Sequence, residues 1–544
     1  MPTYGIDLGT TYSCIAYIDD SGRPAVVKNL LGEDTTPSVV YFESADNVVV
    51  GRDAKNSAKL YPDLVASLIK RQMGEEVEFT FHGQVHTPET ISAFVLRDLA
   101  RAASEQTRET VSDVVITVPA YFGVAEREAT RNAGKIAGLN VLNVVAEPVA
   151  AALHYETMSA GTDRTILVFD LGGGTFDTTV IRLEGKDVNV VCTDGDHHLG
   201  GADWDAKIVD HLLEHFLAEN PESGAGDSED FMQELTIAAE DLKKGLSTAQ
   251  SRPYPMRFGS DTARAELSRD TFEQRTSELL DRTIDITRRT IQTAKERGIA
   301  SFDDVLLVGG ATRMPMVGAA LRTEFGFEPR LLDPDLAVAK GAALFALIES
   351  VKVRLPGGDR DEVSGAAVSD QAVEEVADKL GLSTEKVREL VEKNVTTVVP
   401  RAFGVKLLEP GDPDHDPVRE EFFVEHLLPA NTPLPAAPDT SQFYTAYQNQ
   451  TSIQIEIWEQ AGAKASRELA DNAKIGDGVI SGLPPLPRNS PVDVTFRMSD
   501  TGLLRVDAME LKTGKKLHLE LQIRGLTEEQ VEEKRAALAR YGST

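Results

Sequence analysis

Two stretches far apart in the chain share one pattern, and that repetition constrains the fold more than any other feature. Residues Ile166-Leu167-Val168-Phe169 are an apolar, β-prone run that ends in Asp170-Leu171-Gly172-Gly173-Gly174-Thr175-Phe176-Asp177. Thr178-Thr179-Val180-Ile181-Arg182-Leu183 then alternates as a second strand. The amino terminus repeats this: Tyr4-Gly5-Ile6, then Asp7-Leu8-Gly9-Thr10-Thr11, then Tyr12-Ser13-Cys14-Ile15-Ala16-Tyr17-Ile18. Each copy reads as a hairpin whose glycines bring backbone N–H groups close to a bound anion. Neither is a Walker A loop, since no Gly-Lys-Ser/Thr closes it, nor a dinucleotide fingerprint, since a strand and not a helix follows. Two such hairpins predict two related lobes facing each other across a nucleotide. Phosphate and a hard divalent cation explain the residue types. Mg²⁺ keeps several waters and takes carboxylate oxygen, here Asp7 and Asp170, while threonine hydroxyls and backbone N–H groups take phosphate.

Length and composition bound the rest. A chain of 544 residues predicts three to four domain-sized units. With 87 acidic against 56 basic residues, a net charge of −31 disfavours nucleic acid and anionic membrane surfaces as partners. Cys14 and Cys192 are the only cysteines, so no disulfide framework is expected and a reducing cytoplasm fits. No basic leader and no long apolar segment is present, which predicts a soluble cytoplasmic protein. To about residue 350 strands and helices alternate: Val114 to Val118 is a strand, Ala125 to Ala137 a helix closed by Gly138, Leu139 to Ala146 a strand. Val305 to Val308 runs into Gly309-Gly310-Ala311-Thr312-Arg313, either a place where backbone nears a ring or phosphate or a tight strand-to-helix turn.

Beyond 355 the texture changes. Pro356 to Ala367 is linker-like, then Val373, Val376, Ala377 and Leu380 predict a helix ended by Gly381. Ser383 caps a second helix carrying Val387, Leu390 and Val391. Acidic side chains outnumber basic ones seven to four over 370–393, which argues against a DNA-reading pair and for packing on a neighbouring domain or a partner. From 395 onward alternating runs such as Ile453-Gln454-Ile455-Glu456-Ile457-Trp458, Val492 to Arg497 and Leu517 to Leu521 predict a β-sandwich. Gly482-Leu483-Pro484-Pro485-Leu486-Pro487 reads as a rigid turn in preference to an SH3 ligand, and His415, between two aspartates, as a solvated loop in preference to a metal ligand. Thr527-Glu528-Glu529-Gln530 is a capping box opening a last helix to Tyr541.

These residues resemble the heat shock protein 70 family of chaperones, bacterial DnaK type, which share the actin and sugar-kinase ATPase fold. The resemblance implies an actin-like two-lobed α/β ATPase over 1–352, a linker with a small helical hairpin insertion over 353–394, an all-β peptide-binding sandwich over 395–525, and a short helix over 526–544 with the helical lid truncated. It implies catalytic roles for Lys70, Glu147, Asp170 and Asp177, Mg²⁺ near Asp7 and Asp170, and ATP phosphates on Gly9, Thr10, Thr11, Gly172, Gly173, Gly174 and Thr175. Gly201, Glu240, Lys243, Lys244, Ser247, Gly309, Gly310, Arg313 and Asp335 match the nucleoside side. Without the resemblance, Glu240 to Lys244 reads as a solvated helix face. Pro119 and Arg127 match an allosteric relay. Val424, Phe443, Ala446, Ile453 and Ile455 match a peptide cleft, although Phe443 and Ile455 also read as ordinary core.

Several positions depart from the family. Lys244 replaces an arginine, Ala202 a glutamate and Ala311 a serine around the adenosine. The linker Val395-Thr396-Thr397-Val398-Val399-Pro400 is less apolar than usual. The resemblance implies a nucleotide exchange factor as partner, whereas Asn143 and Ala146 stand where relatives carry an arginine and an asparagine that dock a J-domain, which disfavours a standard J-domain partner. The rim from Glu409 to Pro417 is longer and more acidic. The function implied is ATP hydrolysis controlling the binding of extended apolar segments of unfolded proteins, with weak, fast exchange in the absence of a lid. The alternatives are an ATP-switched module for one dedicated client and, on the same ATPase fold, a small-molecule kinase.

Overall fold

The computed structural model describes residues 3–158, 163–352, 369–409, 421–462, 464–499, 502–521 and 526–543. The two hairpins found in the sequence are the centres of two sheets with one plan. In the first, strand order is Asn140–Ala146, Asp113–Val118, Tyr4–Asp7, Tyr12–Ile18, Pro24–Val26. In the second it is Arg330–Leu331, Asp304–Val308, Arg164–Leu171, Phe176–Glu184, Asp187–Asp196. In both, the first hairpin strand lies antiparallel to its partner and parallel to a strand that arrives much later. Ile166, Leu167, Val168 and Phe169 are wholly buried, the burial on both faces that a continuous apolar run requires.

Helices Glu147–Met158 and Ala337–Val351 pack tightly against each other between the sheets. Their approach depends on small residues: a Cβ on Gly341 would overlap the carbonyl of Ala150.

Helices Asp370–Leu380 and Thr384–Val391 form the expected hairpin, each opened by a serine, Ser369 and Ser383, that accepts a backbone N–H. Gly381 ends the first with φ of 63°. Val373, Ala377, Val387, Leu390 and Val391 pack on Cys14, Ala16 and Ile18 of the first sheet and on helix Ala337–Val351. The neighbour left open by the sequence is thus the first lobe. Asn394–Thr396 follows and adds a parallel edge strand to the second sheet beside Asp187–Asn189.

The strands from Phe403 to Leu521 make a sandwich. One sheet orders Phe422–Leu428, Phe403–Leu408, Ile453–Gln460, Asn472–Ile480, the other Ala436–Tyr444, Pro491–Met498, Leu504–Glu510, Lys516–Leu521. Buried Leu483 and Leu486, with a bridge from Gln450 to Leu486, make the proline-rich segment a structured turn. The acidic rim beyond Glu409 and His415 lie outside the described residues.

The last helix, Glu528–Leu538, has the expected capping box but stops three residues before Tyr541. The chain turns inward there: Arg97 binds the carbonyls of Leu538 and Tyr541 at 2.7 and 3.4 Å, and Tyr541 stacks edge-on to Phe94. Val531 and Leu538 join the core of the first lobe, and Gly542–Ser543 pairs with Asn47–Val48. Among the described residues no helix is long and apolar enough to cross a membrane.

Candidate nucleotide cleft and the interface beneath it

The two glycine turns meet face to face. A Cβ on Gly173 would overlap Thr11, and one on Gly174 would overlap Thr10, so the turns approach as only glycine permits. Gly309, just past strand Asp304–Val308 of the second sheet, has φ of 82° and lies against Asp170 and Leu171.

Below the turns lie four carboxyl groups, with Asp170, Asp177 and Glu147 buried and Asp7 half-buried. Lys70 reaches Glu147 at 2.5 Å, Thr117 donates to Asp7 at 3.1 Å, and the Tyr121 N–H donates to Asp177 at 3.1 Å. Burial, then the neighbouring Glu147, raises Asp7 to about 7 and Asp177 to about 7, and raises Asp170 well above the carboxylate range. Asp170 Oδ2 is buried with no hydrogen-bond partner. One ammonium among four carboxyls is a cluster short of positive charge, and the orphaned oxygen fits a hard divalent cation. Among the described residues no group of three or more His, Cys, Asp or Glu side chains is placed to hold a metal ion.

Arg71, absent from the sequence reasoning, crosses the cleft. Its guanidinium meets Asp203 at 2.5 Å and donates from Nε to the Gly174 carbonyl at 2.9 Å. Asp203 also accepts the Gly200 N–H at 2.7 Å, and this acidic residue in the first turn of helix Gly201–Glu219 was the signal available in the sequence.

On the nucleoside side, Lys243 is buried against Asp205 and the Gly201 carbonyl, both at 2.7 Å. Gly201 also lies near Ala311 and the Gly172 carbonyl. Glu240 binds Lys244 at 2.7 Å, Tyr12 at 3.0 Å and Lys55. Burial pushes its carboxyl up, but the two ammonium groups prevail and hold it at about 2. Lys244 also sits over the Tyr12 ring at 4.5 Å. Arg313 pairs with Asp335, which faces Gly310. Ser247 closes the helix that carries Glu240, four residues beyond Lys243. Lys55 and Tyr12 were not singled out as partners of Glu240.

The relay residues connect this cleft to the sandwich. Arg127 is half-buried and donates to the carbonyls of Phe122 at 3.0 Å and Ala120 at 3.4 Å, and the loss of solvent around its guanidinium lowers it to about 10. Pro119 accepts from Phe122 N–H at 3.1 Å. Segment Pro119–Phe122 is therefore gripped by Asp177 from the cleft and by Arg127 from behind. The Tyr121 ring lies 5.1 Å beneath Arg401, and its hydroxyl donates to the Gly462 carbonyl at 3.3 Å. Arg401 binds Glu126 at 2.9 Å and touches His197. Glu459 of the sandwich is buried with its Oε1 lacking a hydrogen-bond partner, and burial, against the pull of Arg401, raises its carboxyl to about 7. Asn431 accepts the Thr193 N–H at 2.8 Å and offers its carbonyl to Arg297 at 2.5 Å.

The proposed peptide residues fall in two groups. Ile453 and Ile455 lie in the sandwich core with Phe443 packed against it. Val424 is buried with its N–H bonded to the Arg467 carbonyl at 2.9 Å, and Ala446 is half-buried past the end of strand Ala436–Tyr444. Asn143 bonds Glu349 at 3.3 Å, and Ala146 is buried.

The Hsp70 protein family model matches residues 3–81, 75–357 and 419–540. The chaperone protein DnaK of Halobacterium salinarum, in strains R1 and NRC-1, is 36% identical over 544 residues, covering 97% of this chain and 76% of the relative. The chain belongs to the Hsp70 family of ATP-dependent molecular chaperones.

Proposed function

We propose that ATP bound between the two glycine turns controls how the β-sandwich holds extended apolar segments of unfolded proteins. The observation that carries this is the double grip on Pro119–Phe122, with Asp177 on the cleft side and Arg401 and Gly462 on the sandwich side. Asp7 and Asp170 would hold Mg²⁺, which when bound neutralises phosphate charge against the carboxyl cluster. The N–H groups of the two turns, with Thr10, Thr11 and Thr175, bind the phosphates. Lys70 stabilises charge on the transferred phosphoryl oxygens, and Glu147 and Asp177 orient water. Glu240, Lys243, Lys244, Ser247, Gly201, Gly309, Gly310, Arg313 and Asp335 enclose the nucleoside.

This reading divides the chain into an ATPase over 1–352, a joint with an inserted hairpin over 353–394, a peptide-binding sandwich over 395–525 and a terminal helix over 526–544. Val424, Phe443, Ala446, Ile453 and Ile455 are the proposed peptide contacts, a nucleotide exchange factor is the proposed partner, and the cytoplasm the proposed location. Asn143 is engaged by Glu349, which supports a surface other than that of a standard J-domain client cycle.

Peptide affinity measured with ATP and with ADP tests the proposal. A leucine-rich extended peptide should bind more weakly with ATP. Lys70→Ala should slow single-turnover hydrolysis about a hundredfold or more, as loss of a charge-stabilising donor does, while still binding ATP. Equal peptide affinity in both states would sink the coupling.

A further inference from the structure

The helical hairpin leads straight into the linker strand, and the geometry of that junction has a mechanical consequence. Val391, the last helical residue, is buried in the cluster that fixes the hairpin to the first lobe. Asn394, three residues on, begins the strand that pairs with Asp187–Asn189 of the second lobe. Three residues span at most about 10 Å. The junction is itself bonded: Glu392 pairs with Lys186, Lys393 with Glu156, and Asn394 donates to the Lys186 carbonyl at 3.0 Å and to Asp187 at 2.9 Å. Within the hairpin Arg388 binds Asp370 at 2.5 Å, and Leu382 fills the space above Gly22. Past the strand, Val398 is buried in the core shared by the two lobes and Val399 in that of the sandwich.

We propose that the hairpin 370–391 is a built-in strap that keeps linker strand Asn394–Thr396 on the second sheet whatever occupies the nucleotide cleft. While the hairpin stays on the first lobe, the strand cannot leave the edge of Asp187–Asp196 by more than the length of its tether, so its effective concentration there stays high. Nucleotide then acts on the contacts beyond Thr396, at Asn431, Arg401 and Glu459, and leaves the linker strand docked. The strap also joins the two lobes along one side, because the hairpin belongs to the first lobe and its continuation to the second. This rests on the ATP-switched reading above only for the choice of states to compare.

Hydrogen exchange on the whole chain, without nucleotide, with ADP and with ATP, tests the strap. The amides of Asn394 to Thr396 should be protected to the same extent, within about twofold, in all three states. A twelve-residue Gly-Ser spacer inserted between Glu392 and Lys393 lengthens the tether from three residues to fifteen and leaves the hairpin's packing intact. Effective concentration falls roughly as the −3/2 power of tether length, so strand protection without nucleotide should drop about tenfold. Val373→Asp with Val387→Asp, which drives charge into the hairpin's buried face, should do the same or more. If this variant does not fold, the spacer decides. Fast exchange of Asn394–Thr396 in the unaltered chain without nucleotide, slowed tenfold or more by ATP, overturns the proposal, as does a spacer variant with undiminished protection. Protection of Gly9–Thr11 and Gly172–Thr175 on adding ATP, read in the same experiment, reports nucleotide binding separately, so failure of the ATP reading is distinct from failure of the strap.

Discussion

Gly174 faces Thr10 across the cleft with no room for a methyl group. Gly174→Ala must displace the threonine turn or the strand behind it, an overpacking cost of about 2 kcal/mol. Calorimetric titration should show ATP binding about thirtyfold weaker with an unchanged melting temperature within a few degrees, because the strain is felt where the lobes close on phosphate. Wild-type affinity in this variant would place the phosphates elsewhere. The turns were legible in the sequence because anion binding fixes glycine, aspartate and threonine at short spacing. The contacts that close over them were not. Arg71 and Asp203 are 132 positions apart and Lys55 and Glu240 are 185 apart, and each side chain alone is an ordinary surface charge. Such pairs become visible only when two lobes are brought together, which local pattern does not encode.

Helix Val124–Ile136 begins at Gly123 with no side-chain cap of its own. Glu459 of the sandwich lies buried against that end, where its Oε1 would overlap a Cβ on Gly123, with Arg401 beside it. Docking therefore places a carboxyl at a helix start that also carries the relay residue Arg127. Glu459→Leu should remove a favourable charge at the helix start contributing about 1 kcal/mol and lower the docked population about fivefold, while Glu459→Gln, which keeps the shape and a polar end, should retain more of it. Fluorescence energy transfer between labels on the second lobe and the sandwich reads this, and equal transfer in all three proteins would remove Glu459 from the joint. The helix itself was legible in the sequence, but its neighbour was not. The periodicity of the two strap helices likewise predicted their buried faces and left open what they bury against. The terminal helix shows the same limit. Its capping box was legible, whereas the inward turn at Tyr541 depends on an aromatic pocket far away in sequence. His86 lies in that pocket, 4.7 Å from Phe42 and 6.0 Å from Tyr541. Burial, assisted by Lys534, lowers it to about 4. The folded pKa lies below the unfolded value near 6.5, so the neutral ring's contribution is whole above pH 6.5 and is lost as pH falls toward 4. At pH 5 the loss is about 2 kcal/mol. Burial also lowers His154 to about 4 and His197 to about 3, so urea unfolding should show a combined slope between pH 6.5 and 5, and His86→Leu should reduce it by His86's share of about 2 kcal/mol.

At the scale of the whole molecule, charge sets the response to salt. A net charge of −31 makes the folded chain repel itself, and the repulsion acts over a Debye length that shrinks from about 10 Å at 0.1 M salt to about 3 Å at 1 M. Many ion pairs on the surface oppose this, but pairs as exposed as Arg322 with Glu328, 53% and 84% exposed, contribute little and lose little on screening. The pair that joins ATPase and sandwich, Arg401 with Glu126, is 11% and 17% exposed and shielded from mobile ions. Screening should therefore relieve repulsion more than it weakens attraction. The melting temperature should rise between 0.05 and 1 M NaCl by about 2–4 °C for each kcal/mol of repulsion removed, and KCl should match NaCl, because screening does not distinguish the two cations. The docked fraction in ATP, read by energy transfer over the same range, should stay within about twofold, since its charges are buried. A melting temperature that falls with salt would mean that surface ion-pair networks outweigh the net charge. A docked fraction that collapses would mean that the Arg401 cluster is reached by solvent, and the grip on Tyr121 would then be weaker in the cell's ionic strength than its geometry implies.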